Sequence, residues 1–401
     1  DESRYPYNLM RKLAYLLGDG TYLFVADLRE RQVDRGMDRV LQFSAGQAYA
    51  GDVKVREPDR TGLITTPMNE RLRQWKAPSI EPGKGFDRAV ARSGWGVNDD
   101  YLMIVGVRGG GKSLPNVGSL AAYERFGQRL ITSDSVSLYP RSASPWRHSI
   151  VCVNSGGLGA GMIQGAELLA KRELAGGYLL SYRMDTPGHC RWIRTLHWKP
   201  SAYVLVVDRV AAVDDEIFTL GVNWRCAGQV ECLDGRMATL GLESGVDGRF
   251  YVEVSEGLDL TAETNTTPAA GAPQGTPPSR EVMLHATLDR CGRDGEVEVA
   301  TLLHAAKGSD GPRYQLNGCY GGWIVEGPDE TLGFHQEAGS GELEGVPIKL
   351  FQSQERRAPA QRDYASSTDG RAGRPGQPLP DGPNSSGGNP IGVPPEGGSR
   401  A

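Results

Sequence analysis

The chain has 401 residues, of which 39% are hydrophobic, 54 are glycine and 25 are proline, a composition that fits a β-rich, turn-rich protein with a real core. Its formal net charge of −5 gives no basic excess and argues against nucleic acid as a partner, although net charge does not exclude a local basic cleft. The sequence contains no apolar run of about 18 residues, so no membrane insertion is expected. It starts at Asp1 without a signal peptide, and we expect a processed product or a fragment.

The first 80 residues predict a short helical segment. Residues 5–17 place apolar side chains at helical intervals and stop at Gly18, and residues 68–76 predict a second short helix. This segment, 1–80, is too small to bury a large core alone.

From Phe86 onward the pattern changes from helix to strand, and helical periodicity is nearly absent. Breaks at 185–188 and 199–201 predict hairpin connections. The predicted strands are 101–107, 118–126, 148–154, 166–184 (with 178–184 as its last part), 191–198, 202–210, 216–225, 249–255, 281–288, 296–304, 320–326 and 346–353. The fold class is therefore predicted to be mainly β, a large antiparallel β-sandwich over 86–355.

Two segments are predicted to lie outside regular structure. Residues 262–279 are rich in Thr, Pro, Ala and Gly and predict a loop or insertion. Residues 356–401 are dominated by Pro, Gly, Ser and charge, and they lack the apolar surface needed to offset chain entropy. We expect a disordered tail that can be removed without loss of folding.

The six cysteines are scattered and form no C-x-x-C pair, so they indicate no thiolate metal site. Most are expected to be buried free thiols. Cys226 and Cys232 flank a predicted turn, and a disulfide between them is expected only in an oxidising compartment.

A glycine-rich segment supports a second interpretation. Residues 106–113 fit the phosphate-loop pattern G-x-x-x-x-G-K-S after an apolar run, and Lys112 and Ser113 would then hold phosphate and magnesium. However, the residues that should begin the helix, 114–118, are poor helix formers. A glycine-rich hairpin connection is therefore favoured, and a P-loop nucleotide-binding protein is kept as a remote alternative.

A longer pattern extends through the predicted sandwich. Its elements are Arg92-Ser93-Gly94-Trp95, Asp100-Tyr101-Leu102, Gly118-Ser119-Leu120, an apolar run ending at Asp134, Tyr139, Trp146-Arg147-His148-Ser149-Ile150-Val151, an apolar strand ending in Asp208-Arg209-Val210, and Val222-Asn223-Trp224-Arg225. In order and spacing this set resembles the β-sandwich domain of heparinase II/III-type polysaccharide lyases. The resemblance covers roughly 86 to 355. It implies that the helical segment 1–80 is the end of an α/α toroid.

The resemblance also implies a function and a set of site residues. These lyases cleave uronate-containing anionic polysaccharides by β-elimination, which needs a donor to the carboxylate, a base and an acid. By resemblance, His148 and Tyr139 are candidate catalytic residues, and Asp134 with His148 is a candidate metal pair, with zinc as the metal. The candidate substrate-binding residues are Trp146, Arg147, Lys112 and Asn116. The resemblance further implies a periplasmic or extracellular location.

One element departs from the family pattern. Lys112, Leu114 and Asn116 stand where the family places an H-x-H-x-D element that supplies a catalytic histidine and metal ligands. The alternative is therefore a catalytically inactive carbohydrate-binding or structural module. The remaining histidines (His189, His197, His285, His304 and His335) show no metal-ligand spacing and are interpreted as structural. We expect the side chains of Asp134 and His148 to approach each other on one face of the sheet.

Overall fold

The computed structural model describes residues 10, 13–14, 17–25, 54, 56–96, 98–107, 117–132, 148–155, 158–159, 163–174, 176–184, 190–212, 218–242, 247–265, 281–290, 296–308, 313–319, 322–328, 330–336 and 348–352. The chain divides into two units, 1–354 and 355–401. The predicted tail, 356–401, lies outside the described residues.

The described elements are mostly strands. They are β1 (Gly62–Pro67), α1 (Glu70–Lys76), β2 (Phe86–Arg92), β3 (Tyr101–Val105), β4 (Leu120–Arg125), β5 (Gln128–Ile131), β6 (Val151–Ser155), β7 (Leu158–Gly159), β8 (Ala166–Leu174), β9 (Gly177–Met184), β10 (Cys190–Lys199), β11 (Tyr203–Ala212), β12 (Phe218–Ala227), β13 (Gln229–Asp234), β14 (Met237–Gly241), β15 (Gly248–Val254), β16 (Asp259–Asn265), β17 (Glu281–Arg290), β18 (Glu296–Lys307), β19 (Gln315–Cys319), β20 (Gly322–Glu326), β21 (Thr331–Gln336) and β22 (Ile348–Gln352).

Helix is confined to the N-terminal part of the described chain. Residues 10, 13–14, 17 and 21–25 are helical, in agreement with the helix predicted at 5–17 where it is described. The helix predicted at 68–76 is confirmed as α1, whose first turn is capped by Asn69 Oδ1 accepting from the backbone N–H groups of Arg71 and Leu72.

The helical assignment of residues 1–80 needs one correction. Residues 62–67 form β1, which pairs antiparallel with β2. The run Leu63-Ile64-Thr65-Thr66 is β-branched after its first residue and lies between Gly62 and Pro67, a pattern that suits an edge strand. The sheet therefore begins before α1, not at Phe86.

Two antiparallel sheets form the predicted sandwich. The first has the strand order β1-β2-β3-β4-β5-β12-β17-β16, with β6 pairing with β12 and β7, and the second has the order β13-β14-β15-β18-β11-β10-β9-β8. Side chains alternate along each strand, so one face of each sheet points inward. The inner faces meet in a core that includes Trp192 and Trp198 from the second sheet and Tyr123 and Trp224 from the first. The mainly β fold class is confirmed.

A third, four-stranded sheet, β19-β20-β21-β22, contains two of the predicted strands, 320–326 (β20) and 346–353 (β22), but its separation from the sandwich was not predicted. Along β11, Val204 and Val206 line the main core, whereas Tyr203, Leu205 and Val207 line a smaller core shared with the third sheet. The outer face of the second sheet is thus covered.

Several strands escaped the sequence analysis because their patterns are not apolar. Every residue of β13 is exposed or half-buried. Strand β16 includes residues 262–265, which were assigned to a loop, and its residues 261–264 are exposed. Edge strands with little buried surface carry no period-two signal.

The phosphate-loop interpretation is wrong. Strands β3 and β4 are antiparallel neighbours, and the Gly118 N–H donates to Val105 O at 2.7 Å. The segment after Lys112 therefore leads into an antiparallel partner at Leu120. A phosphate loop leads into a helix and a parallel strand.

Each described cysteine is a free thiol, as expected for most of them, and the alternative of a Cys226–Cys232 disulfide is not formed. Cys226 is buried on β12 in the first sheet, whereas Cys232 is exposed on β13 in the second. Separately, among the described helices none has the length and apolar character needed to span a membrane.

Candidate functional site

Two segments carry most of the predicted site residues. Residues 108–116 contain Lys112 and Asn116, and residues 133–147 contain Asp134, Tyr139, Trp146 and Arg147. Both segments lie outside the described residues, so these six assignments stay predictions. Their flanking residues are described and show where each segment starts and ends.

The residues that follow the two segments lie next to each other. The first leads through Gly118 into β4, and the second leads through Ser149 into β6. The backbone N–H of Leu120 donates to Ser149 O at 3.3 Å. The Arg194 guanidinium joins the same two places, because its Nη1 donates to Gly118 O at 3.1 Å and to Ser149 O at 2.9 Å. We call Gly118, Ser149, Arg194 and Asp208 the clamp.

At the centre of the clamp, Arg194 and Asp208 form a buried, fully hydrogen-bonded ion pair. Arg194 Nε and Nη2 donate to Asp208 Oδ1 at 2.7 Å and Oδ2 at 2.9 Å, and Trp192 Nε1 adds a bond to Oδ1 at 2.8 Å. Both charged side chains lie between the sheets, and the guanidinium carbon lies 5.1 Å from the Trp192 ring centroid and 5.3 Å from that of Trp224. Burial acts to lower the pKa of Arg194, but the charge and hydrogen bonds of Asp208 outweigh it, so the pKa is raised. Arg194 therefore stays charged.

Gly118 leaves no room for a side chain at the clamp. Its φ is +80°, and a Cβ there would lie 2.8 Å from Met184 Sδ. The Tyr182 hydroxyl also donates to Gly118 O at 3.0 Å. Glycine is therefore required both by the backbone conformation and by packing.

The segment 133–147 is tied at both ends to one residue of β12. The N–H of Thr132 donates to Arg225 O at 2.9 Å, and the Arg225 N–H donates to Ser149 Oγ at 3.0 Å. The next bond along, from the Asn223 N–H to Ile150 O, is 3.0 Å long. In the sequence, Asp134 follows Thr132 by two residues and His148 precedes Ser149. The approach of their side chains stays a prediction.

His148 is fully buried at this base. Its carbonyl accepts from the Ile150 N–H at 2.9 Å. A buried imidazole suits a ligand-holding or positioning role, and direct contact with a polysaccharide requires that the residues covering it move. The predicted catalytic and metal-binding roles of His148 stay predictions.

The described residues do not form a zinc site. No group of three or more His, Cys, Asp or Glu side chains within them is arranged to hold a metal ion. Of the two predicted ligands only His148 is described, and a structural zinc site takes four.

A polar group next to this base was missed by the sequence analysis. On the strand pair β12 and β17, His285 Nδ1 lies 2.8 Å from Asn223 Oδ1, and Asn223 Nδ2 donates to Cys152 Sγ at 3.2 Å. His285 Nε2 lies 3.7 Å from Glu263 Oε2 on β16. Burial lowers the pKa of His285 more than Glu263 raises it. The signal was an asparagine between two apolar strand positions, Val222 and Trp224.

The motifs at 92–95 and 100–102 lie elsewhere. The Arg92 guanidinium carbon lies 4.6 Å from the Trp95 ring centroid and 4.2 Å from that of Tyr101, where β2 ends and β3 begins. Gly118 adjoins the opposite end of β3. Asp100 accepts from the Ser201 N–H at 2.7 Å and so holds the β10–β11 turn. These motifs are part of the framework of the sandwich.

Comparison with known proteins gives a fold and no family assignment. No protein-family model matches the chain, and neither does any curated protein. Among solved structures, a mutant of heparan sulfate lyase HepC from Pedobacter heparinus matches with a TM-score of 0.56 at 12% identity, covering 87% of this chain and 48% of that one. HepC itself matches with a TM-score of 0.56 at 10% identity, with 86% and 48% covered.

A heparinase III gene product with methylated lysines matches at the same TM-score of 0.56 and 11% identity, with 87% and 47% covered. The chain thus spans about half the length of these structures. At such identities the likeness shows the fold alone: the described sandwich is built like part of heparinase III-type lyases.

Proposed function

We propose that this chain is the β-sandwich part of a polysaccharide lyase that acts on uronate-containing anionic glycans. The observation that carries the proposal is that Gly118 and Ser149, which follow segments 108–116 and 133–147 in the sequence, are both bonded by Arg194 of the clamp. Candidate cationic, aromatic and acid–base residues from two separate segments are thereby connected to the same buried framework. The likeness in fold to heparan sulfate lyases supports the same substrate class.

The proposed chemistry is β-elimination. Arg147 and Lys112 would neutralise the uronate carboxylate, and Arg holds a carboxylate with two parallel hydrogen bonds. His148 and Tyr139 would move the protons: the base takes the C5 proton, the C4–O bond breaks as the C4–C5 double bond forms, and the leaving oxygen is protonated. Trp146 and Asn116 would contact the sugar.

A non-catalytic glycan-binding module is the second candidate. Two observations favour it: His148 is fully buried, and Lys112, Leu114 and Asn116 replace the H-x-H-x-D element. The proposed zinc at Asp134 and His148, and a periplasmic or extracellular location, accompany the first candidate and stay predictions.

Heparan sulfate is the probe that separates the two candidates. Elimination produces an unsaturated uronate, whose ultraviolet absorbance grows with time, whereas a binding module retains the glycan without new absorbance. Arg147→Ala and Lys112→Ala should each weaken binding by about 10-fold or more, because a charge-assisted hydrogen bond contributes about 1.5 kcal/mol or more. The matched control is Arg172→Ala, which removes an exposed arginine of β8. If wild-type protein and all three variants bind equally poorly, the proposal fails.

A further inference from the structure

We propose that His285, held by Asn223, is a glycan-contacting residue whose Nε2 accepts a hydrogen bond from a sugar hydroxyl, with Glu263 as the second acceptor. The inference rests on the proposed function for its substrate class. It assigns a role to a histidine that the sequence pattern left as structural.

Hydrogen bonding fixes which ring nitrogen is free to accept. An amide oxygen only accepts, so the contact between Asn223 Oδ1 and His285 Nδ1 places the proton on Nδ1. The Asn223 amide is oriented by its own bond to Cys152 Sγ. Asn223 is fully buried, so the arrangement is rigid. The lone pair of Nε2 is then left pointing towards Glu263, at 3.7 Å.

The outer part of this group is partly exposed. The His285 side chain is 19% exposed and that of Glu263 is 73% exposed. The thiol of Cys152 is no competitor as a nucleophile, because burial raises its pKa to about 12. The group therefore has a buried support, Asn223 and Cys152, and a partly exposed tip, which consists of His285 Nε2 and the Glu263 carboxylate.

The chemistry of the tip selects hydroxyl groups. A neutral imidazole nitrogen and a carboxylate are both acceptors, and two acceptors at 3.7 Å suit two hydroxyls on adjacent ring carbons. A uronate carboxylate is repelled by Glu263, so the tip complements the cationic candidates of the two segments and does not duplicate them. The tip would therefore accept hydrogen bonds from two neighbouring hydroxyl groups of a sugar ring.

The location joins the tip to the proposed site. Asn223 pairs with His285 across β12 and β17, and its N–H bonds to Ile150 O at the end of segment 133–147. Neighbouring strands lie about 4.8 Å apart, so the backbone of His285 is roughly 10 Å from that of Ile150. A single glycan chain of pyranose rings can span that distance.

The experiment follows the imidazole nitrogens of His285 by NMR while heparan sulfate, dextran or Zn²⁺ is added. In the free protein we expect the tautomer with the proton on Nδ1. Heparan sulfate should shift the Nε2 resonance. His285→Phe should weaken binding by about 3- to 10-fold, the contribution of one net hydrogen bond. Glu263→Gln should weaken it less, and Asp259→Asn, the same charge change further along β16, should have no effect.

Asn223→Ala tests the positioning role. It should leave His285 as a mixture of tautomers and lower glycan affinity, whereas a purely structural asparagine would change stability and leave the tautomer of His285 unchanged.

The outcomes separate this inference from the proposed function. If heparan sulfate has no effect but dextran shifts the Nε2 resonance, the proposed uronate substrate class is wrong and the His285 site is supported. If heparan sulfate binds with the His285 resonance and the His285→Phe affinity unchanged, the function stands and the inference is overturned. A shift with Zn²⁺ alone, or a proton found on Nε2, also overturns it.

Discussion

The clamp shows how single residues connect the sequence pattern to the site. Asp208 belongs to the D-R-V motif, and its carboxylate accepts from Arg194 and Trp192 within the core. Its partner Arg194 belongs to none of the motifs, yet it bonds the carbonyls where both candidate segments end. A sequence shows the acid; only the fold shows the arginine that it orients.

Removal of Arg194 should be severely destabilising. In Arg194→Met, Asp208 remains buried without its partner, and two backbone carbonyls lose a donor, so we expect a loss of about 3–5 kcal/mol in the free energy of unfolding. The double variant Arg194→Met/Asp208→Leu should be less destabilised than Arg194→Met. Urea unfolding measures both, with Arg191→Met, an exposed arginine on the same strand, as the control within about 0.5 kcal/mol of wild type. Equal losses for Arg194→Met and Arg191→Met would show that the clamp contributes nothing.

Gly118 offers a second test at the residue scale. Gly118→Ala places a Cβ against Met184 in the left-handed region, and we expect a loss of about 2–3 kcal/mol. Gly235→Ala is the control, because Gly235 has φ +52° with nothing within 4 Å of a Cβ. The control should lose about 1 kcal/mol, the cost of the conformation alone. Thermal unfolding compares the two, and equal losses would contradict the packing argument.

At the scale of elements, sequence periodicity identified the strands that are buried and missed those that are not. Strand β10 carries alternating core residues such as Trp192, Leu196 and Trp198, and it was predicted to within a residue at each end. Strand β13, with no buried residue, carried no such signal. The site follows the same rule: its anchors arise from pairings between distant strands, which no local pattern encodes.

The third sheet covers two neutral histidines. His197 lies 5.1 Å from the Phe334 ring and His304 lies 5.6 Å from the Tyr314 ring, centroid to centroid. Neither nitrogen of the His304 ring has a hydrogen-bond partner. Burial lowers the pKa of His197 to about 4 and that of His304 to about 3.

These shifts predict acid sensitivity. The unfolded chain takes up protons below pH 6.5, the ordinary histidine value, whereas the folded protein does so only near pH 4 and 3. The contribution of these two histidines to the free energy of unfolding is therefore fully present above pH 6.5. It falls as the pH drops, by up to about 1.4 kcal/mol per pH unit for each ring. Urea unfolding from pH 7 to 4.5 measures the slope, and His304→Phe should reduce it. An unchanged slope in that variant would contradict the assignment.

At the scale of the whole molecule, the sandwich was predictable and its additions were not. The order of motifs and the density of strands were sufficient for a two-sheet architecture. Strand β1 and the grouping of β19 to β22 in a separate sheet depend on docking against other strands, for which a local sequence pattern gives no evidence.

The C-terminal residues test the boundary of the folded unit. Deletion of residues 358–401 should leave the melting temperature within about 2 °C, because the deleted residues carry no apolar periodicity. The comparison is a thermal melt of the full and shortened chains. A fall of many degrees would mean that the tail packs on the sandwich.

The proposed glycan site combines segments 108–116 and 133–147 on the clamp. Hydrogen-exchange mass spectrometry with and without heparan sulfate examines both segments in one experiment. We expect slower exchange in peptides that span 108–120 and 133–150 together, and no change in peptides of the β10–β11 turn at 199–203 or of the third sheet. Protection of only one segment, or protection confined to the turn or the third sheet, would contradict it.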